Sequence, residues 1–288
     1  MPRARLLLDV LRPRRSHRYG SDHRCQRAEL HLPAGRGPHP VVVTIHGGSW
    51  MTGYGKIVMR GLAGDLARRG YAVWNIEYRR IGRDQGGGWP ATFLDVAAAI
   101  DHLDALDAPL DLARVTYLGH SAGGQLALWA AGRRRLAGGA PGSAPRIEPV
   151  AAVSAAGVND LAQSYREVPH GAVGVLMGGG PDERPERYAI ADPIARVPLA
   201  VPVLLVHGTD DATVSVRRSR NYAQASLARG GVVELIEIPG RAGAHRGHVD
   251  PDGPSWAAVT RWLEARRERD HVRRPPRAAS GPRPRPPC

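Results

Sequence analysis

Cysteine is scarce: Cys25 and Cys288 are the only two in 288 residues. They lie near opposite ends of the chain, which argues against a disulfide framework and against Cys-x-x-Cys metal or redox chemistry. Lysine is scarcer still, with Lys56 alone among 40 basic residues, and Phe93 is the single phenylalanine. No apolar run is longer than a strand, which excludes a transmembrane helix. The apolar stretch 6–11 is interrupted by Asp9 and followed by Pro13-Arg14-Arg15 rather than by a small-residue cleavage site. It is therefore not read as a signal peptide, and a cytoplasmic protein is expected. The 12 histidines show no His-x-x-x-His spacing. Gly86-Gly87-Gly88 precedes a helical pattern but lacks the Lys-Ser/Thr ending of a phosphate loop. Neither metal nor cofactor is expected.

Arginine, glycine and proline are plentiful. The net charge of +13 suggests a nucleic-acid partner until its distribution is read. Residues 1–36 and 265–288 together carry +12 of it, so the intervening segment is nearly neutral. Neither nucleic-acid nor membrane binding is expected, and the basic ends are read as solvated. Three parts follow: a basic N-terminal segment (1–16), one α/β domain (17–270) and a disordered Pro/Arg-rich tail (271–288).

Strand-like and helix-like patterns alternate between residues 40 and 265, implying a mainly parallel sheet flanked by helices. Apolar strands are expected over 41–45, 71–78, 115–118, 150–154, 201–206 and 232–238. Helices are expected over 55–69, 92–107, 122–136 and 254–268. In the second of these, Leu94, Ala98 and Leu103 fall near one face. Residues 160–197 read as irregular, either a cap-like insertion over the site or a surface excursion.

The most informative stretch is Gly119-His120-Ser121-Ala122-Gly123-Gly124, placed between a strand pattern and a helix pattern. A Gly-x-Ser-x-Gly in that context resembles the nucleophile elbow of the α/β-hydrolases. The bare pattern is cheap in a glycine-rich chain, so its strand–helix context carries the argument. A serine hydroxyl needs an imidazole to take its proton, and the imidazole needs a carboxylate to fix its tautomer. Asp210 and Asp211 both follow the strand 201–206, and either they or Ser215 can cap the next helix. His245 and His248 both follow the last strand; one of them is expected to be a plain exposed loop histidine.

Further motifs occur in order: His46-Gly47-Gly48-Ser49-Trp50, Glu77-Tyr78-Arg79-Arg80 and Trp89-Pro90-Ala91-Thr92. With the elbow and the Asp211 motif, they resemble the α/β-hydrolases related to kynurenine formamidase and the esterase/lipase group with a His-Gly-Gly oxyanion loop. The resemblance covers about residues 17–264. Its pattern His-Gly-x-x-Asp-x-x-Val selects Asp211, and matching Asp250-Pro251 and Trp256 selects His245. Arg246-Gly247 departs from the usual Phe-Asp of that closing motif. The resemblance implies an oxyanion loop at Gly47 and Gly48 acting with the Ala122 N–H, with Ser49 a third candidate donor. Trp50 and Trp89 either line an acyl or aryl pocket or cover the sheet edge. Arg79 or Arg80 either receives a substrate carboxylate or pairs with Glu77 or Asp95, the pairing being favoured.

The expected function is that of a serine hydrolase cleaving small carboxylic esters through an acyl-serine intermediate. Arylformamidase action on an N-formyl aromatic amine is the alternative. A serine peptidase and a catalytically silent binding protein rank below these. The expected partner is a small ester or formamide, and the oligomeric state is left open.

Overall fold

The computed structural model describes residues 14–273. Most of the basic N-terminal segment (1–13) and of the Pro/Arg-rich tail (274–288) lies outside the described residues. The strands are β1 (Arg15–Arg18), β2 (Arg27–His31), β3 (His39–Ile45), β4 (Ala72–Ile76), β5 (Leu110–His120), β6 (Ala151–Ala155), β7 (Val203–Gly208) and β8 (Val233–Ile238). The helices are α1 (Arg60–Arg68), α2 (Ala91–Asp101), α3 (Ala122–Ala131), α4 (Leu161–Glu167), α5 (Ala172–Met177), α6 (Pro185–Ala191), α7 (Arg217–Leu227) and α8 (Pro254–Arg273).

The strands form one sheet in the order β1-β2-β4-β3-β5-β6-β7-β8. The pairs β1/β2 and β2/β4 are antiparallel, and all the others are parallel. Parallel strands covered on both faces must be apolar throughout, which explains the run Val41-Val42-Val43 and the wholly buried β4, β6 and β7. Helices α1 and α8 cover one face through Leu62, Leu66, Trp256 and Val259. Helices α2, α3 and α7 cover the other through Phe93, Trp129 and Tyr222. Ile45 at the end of β3 stands opposite Gly119 on β5, so the two following loops leave the sheet side by side. Since β4 and β5 lie on opposite sides of β3, this is the crevice where open α/β sheets bind ligands.

Three features differ from the sequence reading. The strands β1 and β2 were not anticipated, because β2 (Arg-Ala-Glu-Leu-His) has only two apolar residues. Its Glu29 is nonetheless buried, held by both the Nε and Nη2 of Arg60 at 3.0 and 2.6 Å. On α2, Leu94 and Ala98 face solvent; Phe93, Val96 and Ile100 form the buried face, with Leu103 below them. Residues 160–197 are not irregular but carry α4, α5, α6 and a short 3-10 turn. Helices of six or seven residues are too short to display a period, and Leu161, Leu176, Met177 and Tyr188 bind them into the core beneath α2 and α3.

The elbow requires glycine for space. A Cβ at Gly119 would overlap the Gly123 carbonyl, and one at Gly123 would overlap the Ile45 carbonyl. Backbone cannot rotate aside as a side chain can. Gly123→Ala should therefore lower stability by about 3 kcal/mol or more in urea denaturation. Gly138→Ala, where nothing lies within 4 Å, should be neutral. Equal stabilities for the two variants would refute the close approach.

Candidate active site

Ser121 sits at the turn between β5 and α3 with φ 54° and ψ −122°, a left-handed conformation that costs a non-glycine residue strain. The surrounding structure holds it there: the Ser121 N–H donates to the Ala155 carbonyl at 2.8 Å, and the Gly124 N–H donates back to the Ser121 carbonyl at 2.9 Å. The loop after β3 is strained in the same sense, with positive φ at Gly48, Ser49 and Trp50. Gly47 backs onto the elbow so closely that a Cβ there would lie 2.7 Å from the His120 carbonyl oxygen. None of the backbone N–H groups of Gly47, Gly48, Ser49 and Ala122 has a protein acceptor among the described residues. Gly47 and Ala122 are buried, Gly48 is half-buried and Ser49 is exposed. Buried backbone donors are nearly always paired, so open ones beside a serine are a ready site for developing negative charge.

The loop is tied down from behind. His46 bonds the Glu77 carboxylate through Nε2 and the Gly47 carbonyl through Nδ1, both at 2.7 Å. Its ring stacks on Tyr78 at 4.3 Å, and the Tyr78 hydroxyl donates to the His46 carbonyl. Burial pushes the Glu77 carboxyl up, but His46 and Arg80 together bring it below the usual range, so it stays charged. Arg79 forks onto Asp95 at 2.8 and 2.7 Å, and Arg80 lies 3.7 Å from Glu77. The Glu-Tyr-Arg-Arg motif thus forms structural ion pairs.

Asp211 and His245 meet across the end of β7. The His245 Nδ1–H donates to Asp211 Oδ2 at 2.8 Å, which leaves Nε2 as the basic nitrogen. The other carboxylate oxygen accepts the N–H groups of Thr213 and Val214 at 2.8 and 3.0 Å. Burial opposes the charge on Asp211, yet His207, His245 and the Val214 N–H outweigh it and hold the carboxyl well below the usual carboxylate range. Asp210 turns outward, taking a bond from the Thr209 hydroxyl. The loops meet because a Cβ on Gly208 would overlap the Gly243 carbonyl.

His248 is not an exposed loop histidine. It is 2% exposed, and neither ring nitrogen has a hydrogen-bond partner among the described residues. It completes a cluster with His120, 6.3 Å away, and His207, 6.2 Å away. His120 donates from Nε2 to the His245 carbonyl at 3.0 Å, tying the nucleophile strand to the histidine loop. His207 bonds Ser219 and the Val214 carbonyl, bracing the Asp211 loop from beneath. Both lie inside motifs quoted for their neighbours, the elbow and His-Gly-x-x-Asp; their own roles become visible only in three dimensions.

Two cavities flank Ser121. The larger, about 420 Å³, is lined by Gly47, Gly48, Tyr54, Ser121, His245 and Arg246. The smaller, about 220 Å³, is lined by Trp50, Ser121, Glu167, Val168, Val173 and Arg218. Trp50 is buried, and its indole N–H donates to Gln125 at 3.2 Å. Trp89 lines neither cavity; its ring meets Phe93 edge-on at 5.1 Å and covers the core. Among the described residues, no group of three or more His, Cys, Asp or Glu side chains is placed to hold a metal ion.

Similar proteins agree with this architecture. The BD-FAE family model matches residues 29–225, a span that includes Ser121 and Asp211. Esterase LipC of Mycobacterium tuberculosis (strain ATCC 25618 / H37Rv) is 27% identical over 219 residues, covering 70% of this chain and 52% of LipC. The chain thus spans about half the length of this curated relative. Among solved structures, esterase B from Lactobacillus rhamnosis superposes with a TM-score of 0.76 at 19% identity, covering 94% of this chain and 93% of that one. A truncated carbohydrate esterase from gut microbiota gives a TM-score of 0.75 at 24% identity, covering 89% and 97%. The chain belongs to the BD-FAE family, and its fold is that of the α/β-hydrolases.

Proposed function

We propose that the protein is a serine hydrolase that cleaves small carboxylic esters through an acyl-serine intermediate. The observation that carries this reading is the His245–Asp211 hydrogen bond beside a strained serine and a set of open backbone donors. Ser121 Oγ attacks the ester carbonyl while His245 Nε2 takes its proton. The N–H groups of Gly47, Gly48 or Ser49, with that of Ala122, receive the oxyanion. His245 then gives its proton to the departing alkoxide, and a water repeats the sequence to release the acid. Asp211 keeps Nδ1 protonated and offsets the imidazolium charge that forms at each step. The relative named an esterase supports the same chemistry.

The two cavities divide the substrate. The leaving oxygen must lie near His245, which lines only the larger cavity, so the alcohol belongs there and the acyl chain in the smaller one. Trp50 walls the smaller cavity and limits chain length. Low cysteine use supports a reducing compartment, and no described helix is long and apolar enough to cross a membrane.

Ser121→Ala should lower kcat/KM on p-nitrophenyl butyrate by roughly four orders of magnitude and abolish fluorophosphonate labelling, with the fold intact. Retention of a tenth of the activity would remove Ser121 from the mechanism.

His245→Ala should be as damaging as Ser121→Ala, whereas His248→Ala should retain kcat/KM within about tenfold. The reverse ranking would move the base to His248.

p-Nitrophenyl butyrate should be turned over better than the decanoate. A decanoate preference would contradict the Trp50 limit, and a kcat/KM for N-formylkynurenine above every ester would make the protein a formamidase.

Acid should destabilise the fold through the histidine cluster. Burial pushes His120 down to about 3 and His248 down to about 4, and neighbouring histidines act in the same direction. In the unfolded chain both rings take protons below an ordinary histidine pKa of 6.5. Between these limits the unfolded state binds more protons, so stability rises with pH from about 4 to about 6.5. The two histidines should lower Tm as pH falls through this window, against the Asp192 carboxyl, which burial pushes up to about 7 and which acts the opposite way. His248→Leu should remove part of that fall. A slope unaffected by that substitution would place the acid sensitivity elsewhere.

A further inference from the structure

The acyl cavity contains a charged group that the hydrolytic reaction does not use. Arg218, on the first turn of α7, is 3% exposed yet lines the cavity with Trp50, Val158, Val168 and Val173. Among the described residues, the one hydrogen-bond partner of its guanidinium is the Glu167 carboxylate, reached through Nη2. Nε and Nη1 have no acceptor among the described residues. Both nitrogens therefore still reach solvent, and an anion in the cavity can replace water on them. Glu167 ends α4 and also lines the cavity, but unlike its partner it is 46% exposed in its side chain. The remaining walls combine apolar residues with the hydroxyls of Ser49, Ser121, Ser164, Thr213 and Ser215, and carry no further charge.

We infer that the smaller cavity selects acyl chains ending in a carboxylate, and that Arg218 is the specificity-determining residue that receives it. The substrate class is the half-ester of a short dicarboxylic acid. This rests on the ester-hydrolase reading and on the assignment of the acyl chain to the smaller cavity. A carboxylate presents two coplanar oxygens that match the guanidinium fork, and a buried fork is worth more than one in water. The methylenes between carbonyl and carboxylate lie against Trp50 and the valines. Glu167 competes for the same donors from the exposed side. It therefore weakens the preference, and its removal strengthens it.

The test compares monoethyl glutarate with ethyl pentanoate, which share a five-carbon acyl chain, by ethanol release at neutral pH. The readout is the ratio of the two kcat/KM values, from which a general loss of activity cancels. The wild-type protein should give a ratio of at least one. R218Q should lower the ratio about tenfold or more, and E167Q should raise it several-fold, as expected for a hydrogen bond to a charged group. E167Q alters an exposed side chain, so it remains informative even where R218Q fails to fold. A ratio equal within twofold in wild type and E167Q, or a fall in E167Q, overturns the inference. Turnover of ethyl pentanoate with an unchanged ratio overturns this inference alone. Absence of turnover of both ethyl esters and of p-nitrophenyl butyrate overturns the ester-hydrolase reading, and this inference with it.

Discussion

Backbone packed directly on backbone, with no side chain between, is the constraint on which the site depends. At the end of β5, Gly119 meets the Gly123 carbonyl, and Gly123 meets the Ile45 carbonyl. At the end of β7, Gly208 meets Gly243. The first contact sets the serine against the loop after β3. The second sets the histidine loop against the strand that delivers Asp211. A methyl group at any of these positions would force the backbones apart, and catalytic geometry tolerates displacements of only a fraction of an ångström. The strain at Ser121 and Ser49 persists because these contacts over-determine the turns.

Behind the loops lie buried carboxylates, each with a defined partner. Glu77 holds His46, and His46 holds the Gly47 carbonyl. Asp95 takes Arg79 and the Gln26 amide. Asp211 takes His245 and two backbone N–H groups, with His207 at 3.6 Å. A buried charge stripped of its partner costs several kcal/mol, roughly 3–5 where measured, so each pairing fixes the register of the loop it anchors. The candidate site is thereby preorganised: the groups around Ser121 have little freedom to lose.

The positions of the loops around the candidate site were legible in the sequence because they obey local rules. A Gly-x-Ser-x-Gly after an apolar run, a His-Gly-Gly after another and an aspartate after a third each declare their position at a strand end. Trp89 was not legible in this way. It shares a strand-end loop with pocket candidates, yet its ring turns inward onto Phe93. Leu94 and Ala98 on α2 were misassigned for a related reason. Their spacing suits a helix face, but the sheet and α3 meet the face carrying Phe93, Val96 and Ile100.

Local patterns along the chain were enough to specify the alternation of strand and helix, the parallel sheet and the loops at the ends of its strands. Apolar periodicity and turn chemistry are properties of neighbours along the chain. Tertiary structure alone decided how distant segments serve one another. It buried Glu29 in an edge strand with few apolar residues, packed short helices from residues 160–197 beneath α2 and α3, and enclosed His248 among histidines from two other strands. It also turned Arg218, one more arginine in an arginine-rich chain, into a buried cation beside the serine. Burial and electrostatic pairing depend on which surfaces meet in space, and no local pattern along the chain encodes that meeting.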